Sequence, residues 1–144
     1  MTTTTAPTET PTSLETPIDV RIVLGVLWTT MVLVFAYVDL FGFYRADVLE
    51  AALEGRMAST PFVVNQIFLV ATLGYILVPT LMVTLSLVLH RRLNRVLTIV
   101  VALVVALVII GSINGETWVY YWVGSLVEVL LLAAIVRTAW GWRV

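Results

Sequence analysis

Four long apolar stretches constrain this chain more than any other feature of its sequence. They cover about residues 20–42, 62–89, 95–113 and 118–139. A helix rises 1.5 Å per residue and the hydrocarbon core of a bilayer is about 30 Å thick, so about 20 apolar residues span it. Only helices and closed barrels satisfy their backbone in lipid, and none of these stretches alternates as a strand does. Each stretch therefore predicts a transmembrane helix.

The composition agrees with a membrane protein whose partner is the lipid bilayer. Of the 144 residues, 60% are hydrophobic and 12% are charged, whereas soluble domains are about 25% charged. The net charge of −1 does not indicate a nucleic-acid partner. Cysteine is absent and His90 is the single histidine, which excludes thiolate metal sites and a bis-histidine haem within one chain. We expect no metal and no cofactor.

Short links between the stretches predict an up-down four-helix bundle. The links at 90–94 and 114–117 are short enough to make neighbouring helices antiparallel. Residues 18–144 are thus predicted to form a single four-helix transmembrane domain. Residues 1–17, MTTTTAPTETPTSLETP, are rich in threonine and proline and lack an apolar period, so we expect a disordered cytoplasmic tail.

The distribution of arginine predicts the orientation in the membrane. Six arginines fall on the side shared by both termini and two on the other: Arg21, Arg91, Arg92, Arg95, Arg137 and Arg143 against Arg45 and Arg56. The positive-inside rule then places both termini in the cytoplasm, in a multi-pass protein of the plasma (inner) membrane. The cluster of His90, Arg91, Arg92 and Arg95 is explained by this topology, and binding of anionic lipid headgroups is its functional alternative.

The link at 43–61 predicts a fifth, amphipathic helix at about 47–55, on the outer surface or folded over the bundle. Asp47 and Glu50 have the spacing of a capping box, and Gly55 is a candidate C-cap. The apolar face comprises Val48, Leu49, Ala52 and Leu53. We expect Thr60 or Ser59 to cap the next transmembrane helix, with Pro61 in its first turn.

Small and polar residues predict which face of each helix points inward. In chain order, the four faces are Gly25, Thr29, Val32, Ala36 and Asp39; Asn65, Thr72, Pro79 and Ser86; Thr98, Ala102 and Ala106; and Tyr121, Ser125, Glu128 and Leu132. Each face is expected to be a packing seam, and a functional role stays open beside it. Pro79 frees the carbonyl of Tyr75, either in a structural kink or at a functional hinge.

Glu128 is the strongest candidate for a functional residue. It lies ten residues after Trp118, roughly 15 Å into the helix and so near the bilayer midplane. An ionised carboxylate there costs about 2.5–3.5 kcal/mol on insertion scales. We therefore expect a protonated side chain that donates a hydrogen bond, with Thr72 and Tyr75 as its partners. Structural and functional roles are equally open for it.

Asp39 is the second intramembrane carboxylate, close to the end of the first helix. The helix dipole disfavours an anion at a C-terminus, so we expect a compensating group, for which Arg45 and Arg56 are the candidates; structural and functional roles both stay open.

Several segments together resemble a known family. They are AYVDLFGFYRADVLEAALEG at 36–55, QIFLVATLGYILVPTLMVTLSLVL at 66–89, LNRVLTI at 93–99 and YYWVGSLVEVLLLAAIVRTAWGWR at 120–143. In this order they resemble the small bacterial membrane proteins grouped as domain of unknown function 6326. The resemblance covers about residues 20–143. It implies the four-helix membrane fold and no activity.

Three functions fit these features. The first is a non-enzymatic assembly, scaffold or accessory membrane protein with an unknown membrane partner, which needs only the packing seams. The second is a small proton-coupled transporter or channel that uses Glu128 and works as a homo-oligomer. The third is a membrane enzyme acting on lipid or quinone near Asp39. The sequence has no nucleophile–base pair or phosphate-binding loop, so it favours a protein without catalytic activity.

Overall fold

The computed structural model describes residues 18–58, 60 and 62–142. The predicted tail, Ser59, Pro61 and Arg143 lie outside these residues. The described chain forms five helices: α1 (Val20–Gly42), α2 (Ala46–Leu53), α3 (Gln66–Val88), α4 (Arg91–Ser112) and α5 (Val119–Gly141). The four long helices are each apolar enough to cross a membrane. The predicted all-α membrane fold, with four spans and a short helix after the first, is confirmed.

The four long helices pack in a ring. α1 packs against α3 and α5, and α4 packs against α5 and, less extensively, against α3. We call the end where α1 and α4 finish and α3 and α5 begin the α2 end, and the other the opposite end. Most residues of the buried apolar core lie towards the opposite end. The core consists of Leu24, Trp28, Met31, Met82, Ala102, Val105, Ile109, Leu132, Ile135, Ala139 and Trp142.

α3 begins at Gln66, four residues later than predicted. Asn65 is its N-cap, and its side-chain oxygen accepts a hydrogen bond from the N–H of Phe68 at 2.9 Å. The preceding residues turn back on α2 instead of extending α3, because Arg56 and Val63 form an antiparallel bridge. The predicted cap by Thr60 is therefore wrong, and Asn65 caps a helix instead of facing the bundle interior.

α2 ends as predicted but begins differently. Gly55 has a φ of 71° and follows the helix in a Schellman motif, in which the N–H of Arg56 donates to the carbonyl of Ala51 at 2.8 Å. The N-cap is Arg45, without a side-chain capping bond. Asp47 binds the Arg45 guanidinium instead, so the predicted capping box is wrong.

The inward faces of three helices are close to those predicted. Buried residues include Pro79 and Ser86 on α3, Thr98 and Ala102 on α4, and Ser125, Glu128 and Leu132 on α5. In α1, Gly25 is buried and Val32 packs against the core as predicted, but Thr29, Ala36 and Asp39 are exposed. Leu24, Trp28 and Met31 are buried instead. Large apolar side chains fill the space between α1 and its neighbours, which a search for small residues overlooks.

Candidate functional site

Glu128 lies inside the bundle, on the buried face of α5. Its side chain is 3% exposed, between Ser125 and Leu132 on a face with helical spacing. Its Oε1 has no hydrogen-bond partner among the described residues. A buried polar atom without a partner costs about 1–3 kcal/mol, and more if it is charged. The carboxyl group is therefore costly where it stands, and it is turned away from lipid.

Two further buried polar atoms share this property. The Tyr75 hydroxyl on α3 and the Trp28 Nε1 on α1 have no hydrogen-bond partner within the described ranges. The predicted hydrogen bonds from Glu128 to Thr72 and Tyr75 do not form. Sequence reasoning missed Trp28, although its spacing from Leu24 and Met31 is that of a buried helix face.

Gly124 brings α1 and α5 together one turn above Glu128. A Cβ at this glycine would overlap the side chain of Val38, so any other residue would push the two helices apart. The contact places Asp39, the next residue of α1, beside the polar face of α5. Asp39 and Tyr121 line one pocket, and Tyr121 shares the α5 face that carries Glu128. The two carboxylates that the sequence singled out thus belong to one region.

A pocket of about 210 Å³ opens at the α2 end above this region. Its polar lining includes Asp39, Arg45, Ser112, Glu116 and Tyr121, and apolar atoms provide the rest of its wall. The Tyr121 hydroxyl donates a hydrogen bond to Ser112 Oγ at 2.9 Å. Tyr121, Ser125 and Glu128 follow one another at spacings of four and three residues on α5. They connect the pocket to the buried carboxyl group along a single helix face.

Asp39 forms no ion pair with either nearby arginine. Arg45 binds Asp47 and Glu116, and Arg56 binds Glu54. Neither candidate partner therefore pairs with Asp39. Within the described part of the chain, Asp39 is left as a carboxylate at the pocket wall without a matching positive charge.

Arg45 is the main polar connection between the two sides of the α2 end. It is 6% exposed, and its guanidinium donates to Asp47 Oδ2 at 2.6 Å and to Glu116 Oε2 at 2.9 Å. It also lies over the Trp118 ring, 4.9 Å from the centroid. These contacts join the start of α2 to the α4–α5 link.

The ion pairs at Arg45 shift the proton affinities of all three groups. The hydrogen bond from Arg45 holds the pKa of Asp47 below its ordinary value. Burial disfavours the ionised form of Glu116, but hydrogen bonds from Arg45 and from the Trp118 and Thr117 N–H groups outweigh it and lower its pKa. The hydrogen bond with Asp47 outweighs burial and raises the pKa of Arg45. All three groups are therefore charged at neutral pH.

The polar residues of the opposite end satisfy one another. Asn94 is fully buried and donates to the Ser86 carbonyl at 2.7 Å, and its Oδ1 accepts from the Thr98 hydroxyl at 3.1 Å. Ser86 Oγ donates to the Met82 carbonyl at 2.6 Å. This chain of bonds ties α3 to α4 around their tight link. Asn94 was missed because α4 begins at Arg91, four residues before its predicted start.

The remaining predicted site residues lie apart from the pocket. Pro79 is buried and borders a gap of about 10 Å³ shared with Met31 and Tyr75. His90 is the N-cap of α4 without a side-chain bond. Arg91 and Arg92 are exposed in its first turn, while the Arg95 guanidinium lies 5.5 Å from the centroid of the Trp140 ring. Across the described residues, no group of three His, Asp or Glu side chains could hold a metal ion.

Charge is distributed unevenly between the two ends. The α2 end carries five carboxylates against two arginines: Asp39, Asp47, Glu50, Glu54 and Glu116 against Arg45 and Arg56. The opposite end carries five arginines against one described carboxylate: Arg21, Arg91, Arg92, Arg95 and Arg137 against Asp19. The pocket therefore opens into an acidic surface, which attracts cations.

Comparison with known proteins identifies the family. No curated protein and no solved structure matches the chain. A family model described as a family of unknown function, DUF6326, matches residues 14–144, in agreement with the resemblance of the helix-end motifs. The chain is a multi-pass membrane protein that belongs to the DUF6326 family.

Proposed function

We propose that this protein is a small proton-linked membrane transporter in which Glu128 is the proton-binding group. One observation carries the proposal: a carboxyl group deep in the bundle has a buried oxygen without a partner and shares a helix face with a polar surface pocket. An intramembrane ionisable residue that faces a bundle interior is typical of proton and ion pathways.

The helix geometry supports access from one side. Tyr121 lines the pocket, and Glu128 lies seven residues further along α5, about 10 Å away along the axis. On the other side of Glu128 the bundle is filled by buried Leu132, Ile135 and Ala139. A proton that reaches the carboxyl group from the α2 end therefore cannot continue without a rearrangement of the helices. This is the arrangement expected of a carrier rather than of a continuously open channel.

A rearrangement would involve the α3–α4 side of the bundle. Pro79 interrupts the hydrogen-bond ladder of α3, and the packing of α3 on α4 is the least extensive in the ring. In the proposed cycle, Glu128 takes up a proton from the α2 end, the helices rearrange, and the proton leaves towards the opposite end. Four helices enclose little space, so the working unit is proposed to be a homo-oligomer. With the arginine-rich end in the cytoplasm, the pocket faces outwards.

An assembly or accessory role is the second candidate, and it stays a prediction. It is less well supported by Glu128, because a carboxyl group turned away from lipid cannot meet a partner helix. A membrane enzyme acting on lipid or quinone is the third candidate and gains no support from the described side chains, which bring no nucleophile and base together.

The proposal is tested by labelling with an apolar carbodiimide in proteoliposomes between about pH 5 and 9. Such reagents react with protonated carboxyl groups, so we expect a label on Glu128 that decreases as the pH rises and that is absent in Glu128→Gln. Liposomes containing a pH-sensitive dye should show proton entry for the wild type and for Glu50→Gln, a matched surface control, but not for Glu128→Gln. Proton entry that Glu128→Gln leaves unchanged would overturn the proposal.

A further inference from the structure

Asp39 gives the pocket at the α2 end a negative charge that no arginine of the described residues neutralises. Arg45 also lines the pocket, but its charge is met by the carboxylates of Asp47 and Glu116. Asp39 lines the same pocket and has no ion pair within the described residues. The four charged groups together leave an excess of negative charge at the pocket, which favours a cationic ligand over a neutral or anionic one.

The rest of the lining suits an organic cation better than a bare metal ion. Tyr120 and Tyr121 border the pocket with Met57 and Val48. Aromatic faces attract ammonium groups, and apolar side chains accept the carbon atoms of such a ligand. Hydroxyl groups of Ser112 and Thr60 provide hydrogen-bond acceptors. A metal ion would need several converging carboxylates, whereas Asp39 is the one carboxylate of the lining that is not already bound to Arg45.

The volume limits the size of the ligand. About 210 Å³ corresponds to roughly seven water volumes at about 30 Å³ each, and drug-sized ligands occupy pockets of about 300–1,000 Å³. We propose that this pocket is a binding site for a small organic ammonium ion, primary or quaternary, with Asp39 as its counter-charge. The inference deepens the proposed function by naming the class of solute.

The position of Asp39 also explains how such a solute would be linked to protons. Asp39 and Tyr121 line the same pocket, and Glu128 lies two turns beyond Tyr121 on the same face of α5. A cation held at Asp39 therefore favours the ionised form of Glu128. By linkage, a proton on Glu128 weakens the binding of the cation to the same extent. The two cations therefore compete, which is the requirement for exchange of an ammonium solute against a proton. No covalent step is involved.

The test measures binding of tetramethylammonium chloride and methylammonium chloride to the full chain in lipid nanodiscs, by concentration-dependent thermal stabilisation at neutral pH. Sodium chloride at the same ionic strength is the reference. We expect saturable stabilisation of the wild type by at least one ammonium salt and about tenfold weaker binding to Asp39→Asn, which corresponds to about 1.4 kcal/mol.

Two variants distinguish binding in the pocket from a general attraction of cations to the acidic surface. Glu50→Gln removes the same charge at the same end but does not line the pocket, and it should bind like the wild type. Ala58→Leu fills the pocket without altering charge and should abolish binding even if Asp39→Asn does not fold. Equal weakening by Glu50→Gln and Asp39→Asn, or full binding by Ala58→Leu, would show that the cations act on the surface and not in the pocket.

The two proposals fail in different ways. If ammonium binding depends on Asp39 but proton entry is the same in Glu128→Gln as in the wild type, the ammonium site is supported and the proton-linked transport by Glu128 is contradicted. Proton entry that requires Glu128, without saturable ammonium binding by the wild type, would preserve the function and overturn the ammonium site.

Discussion

The two ends of this bundle handle buried polar groups in opposite ways. At the opposite end, Ser86, Asn94 and Thr98 satisfy one another by hydrogen bonds within the chain. Towards the α2 end, Tyr75 and Glu128 carry buried polar atoms without partners, and Asp39 lacks an ion pair. Trp28 Nε1, on the opposite-end half of α1, also lacks a partner, so the contrast lies between the Asn94 network and the carboxyl groups near the pocket. Such a difference is expected where function places demands on only one region.

Arg45 is the exception at the α2 end, and replacing it should have the largest effect. Arg45→Met leaves the half-buried Glu116 without its partner, and breaking a buried pair costs about 3–5 kcal/mol. Because Asp47 is partly exposed, we expect the lower end of that range for the free energy of unfolding, measured by denaturant titration in detergent.

Arg56→Met is the matched control. Arg56 and Glu54 are both more than half exposed, and exposed pairs contribute about 0–1 kcal/mol. Equal losses of unfolding free energy in the two arginine variants would mean that the ion pairs of Arg45 contribute no more to stability than an exposed pair.

Replacing Asn94, the centre of the hydrogen-bond network at the opposite end, should cause the next largest loss of unfolding free energy. Asn94→Ala leaves the Ser86 carbonyl and the Thr98 hydroxyl without a partner, which should cost about 2 kcal/mol of unfolding free energy. Asn114→Ala removes an exposed asparagine whose amide donates only to the Gly111 carbonyl at 3.1 Å. It should cost less than about 0.5 kcal/mol. A larger loss for Asn114→Ala would contradict the contrast between the two ends.

Removing an unpartnered hydroxyl should cost nothing. Tyr75→Phe deletes a buried polar atom that has no hydrogen bond, so we expect the free energy of unfolding to be unchanged or higher by up to about 1 kcal/mol. Tyr121→Phe deletes the bond to Ser112 and should be destabilising by about 1 kcal/mol. If Tyr75→Phe lowers the free energy of unfolding more than Tyr121→Phe does, the Tyr75 hydroxyl forms a hydrogen bond in the membrane and is not an unpartnered group.

Acid should reduce the stability that the Arg45–Glu116 ion pair gives to the α2 end. The pKa of Glu116 is lower in the folded protein than its ordinary value of 4.5, so its contribution to stability is present above that value and is lost as the pH falls through the folded value. We expect the wild type to melt higher than Glu116→Gln near pH 7, and this difference to shrink below about pH 4.5. A difference that is constant with pH would exclude an ionic contribution from Glu116.

Helix existence and the inward face of α5 could be predicted because each rests on local information. Apolar length decides a membrane span, and the spacing of Ser125, Glu128 and Leu132 marks one face. The start of α3 could not be predicted in this way, since Asn65 competes with Thr60 as a cap and the bridge from Arg56 to Val63 decides between them. The face of α1 was also missed, because large side chains such as Trp28 fill its seams.

The sequence by itself determined the class of this protein: four apolar spans, an acidic and a basic end, and a carboxyl group ten residues into the last helix. These follow from composition and from the rise of a helix. Only the tertiary structure decided which groups meet. Arg45 binds Asp47 and Glu116 rather than Asp39. Gly124 admits Val38, and Asp39 lines a pocket with Tyr121 of α5. Partner choice among charged residues depends on distances between helices, and one chain's residue order does not contain those distances.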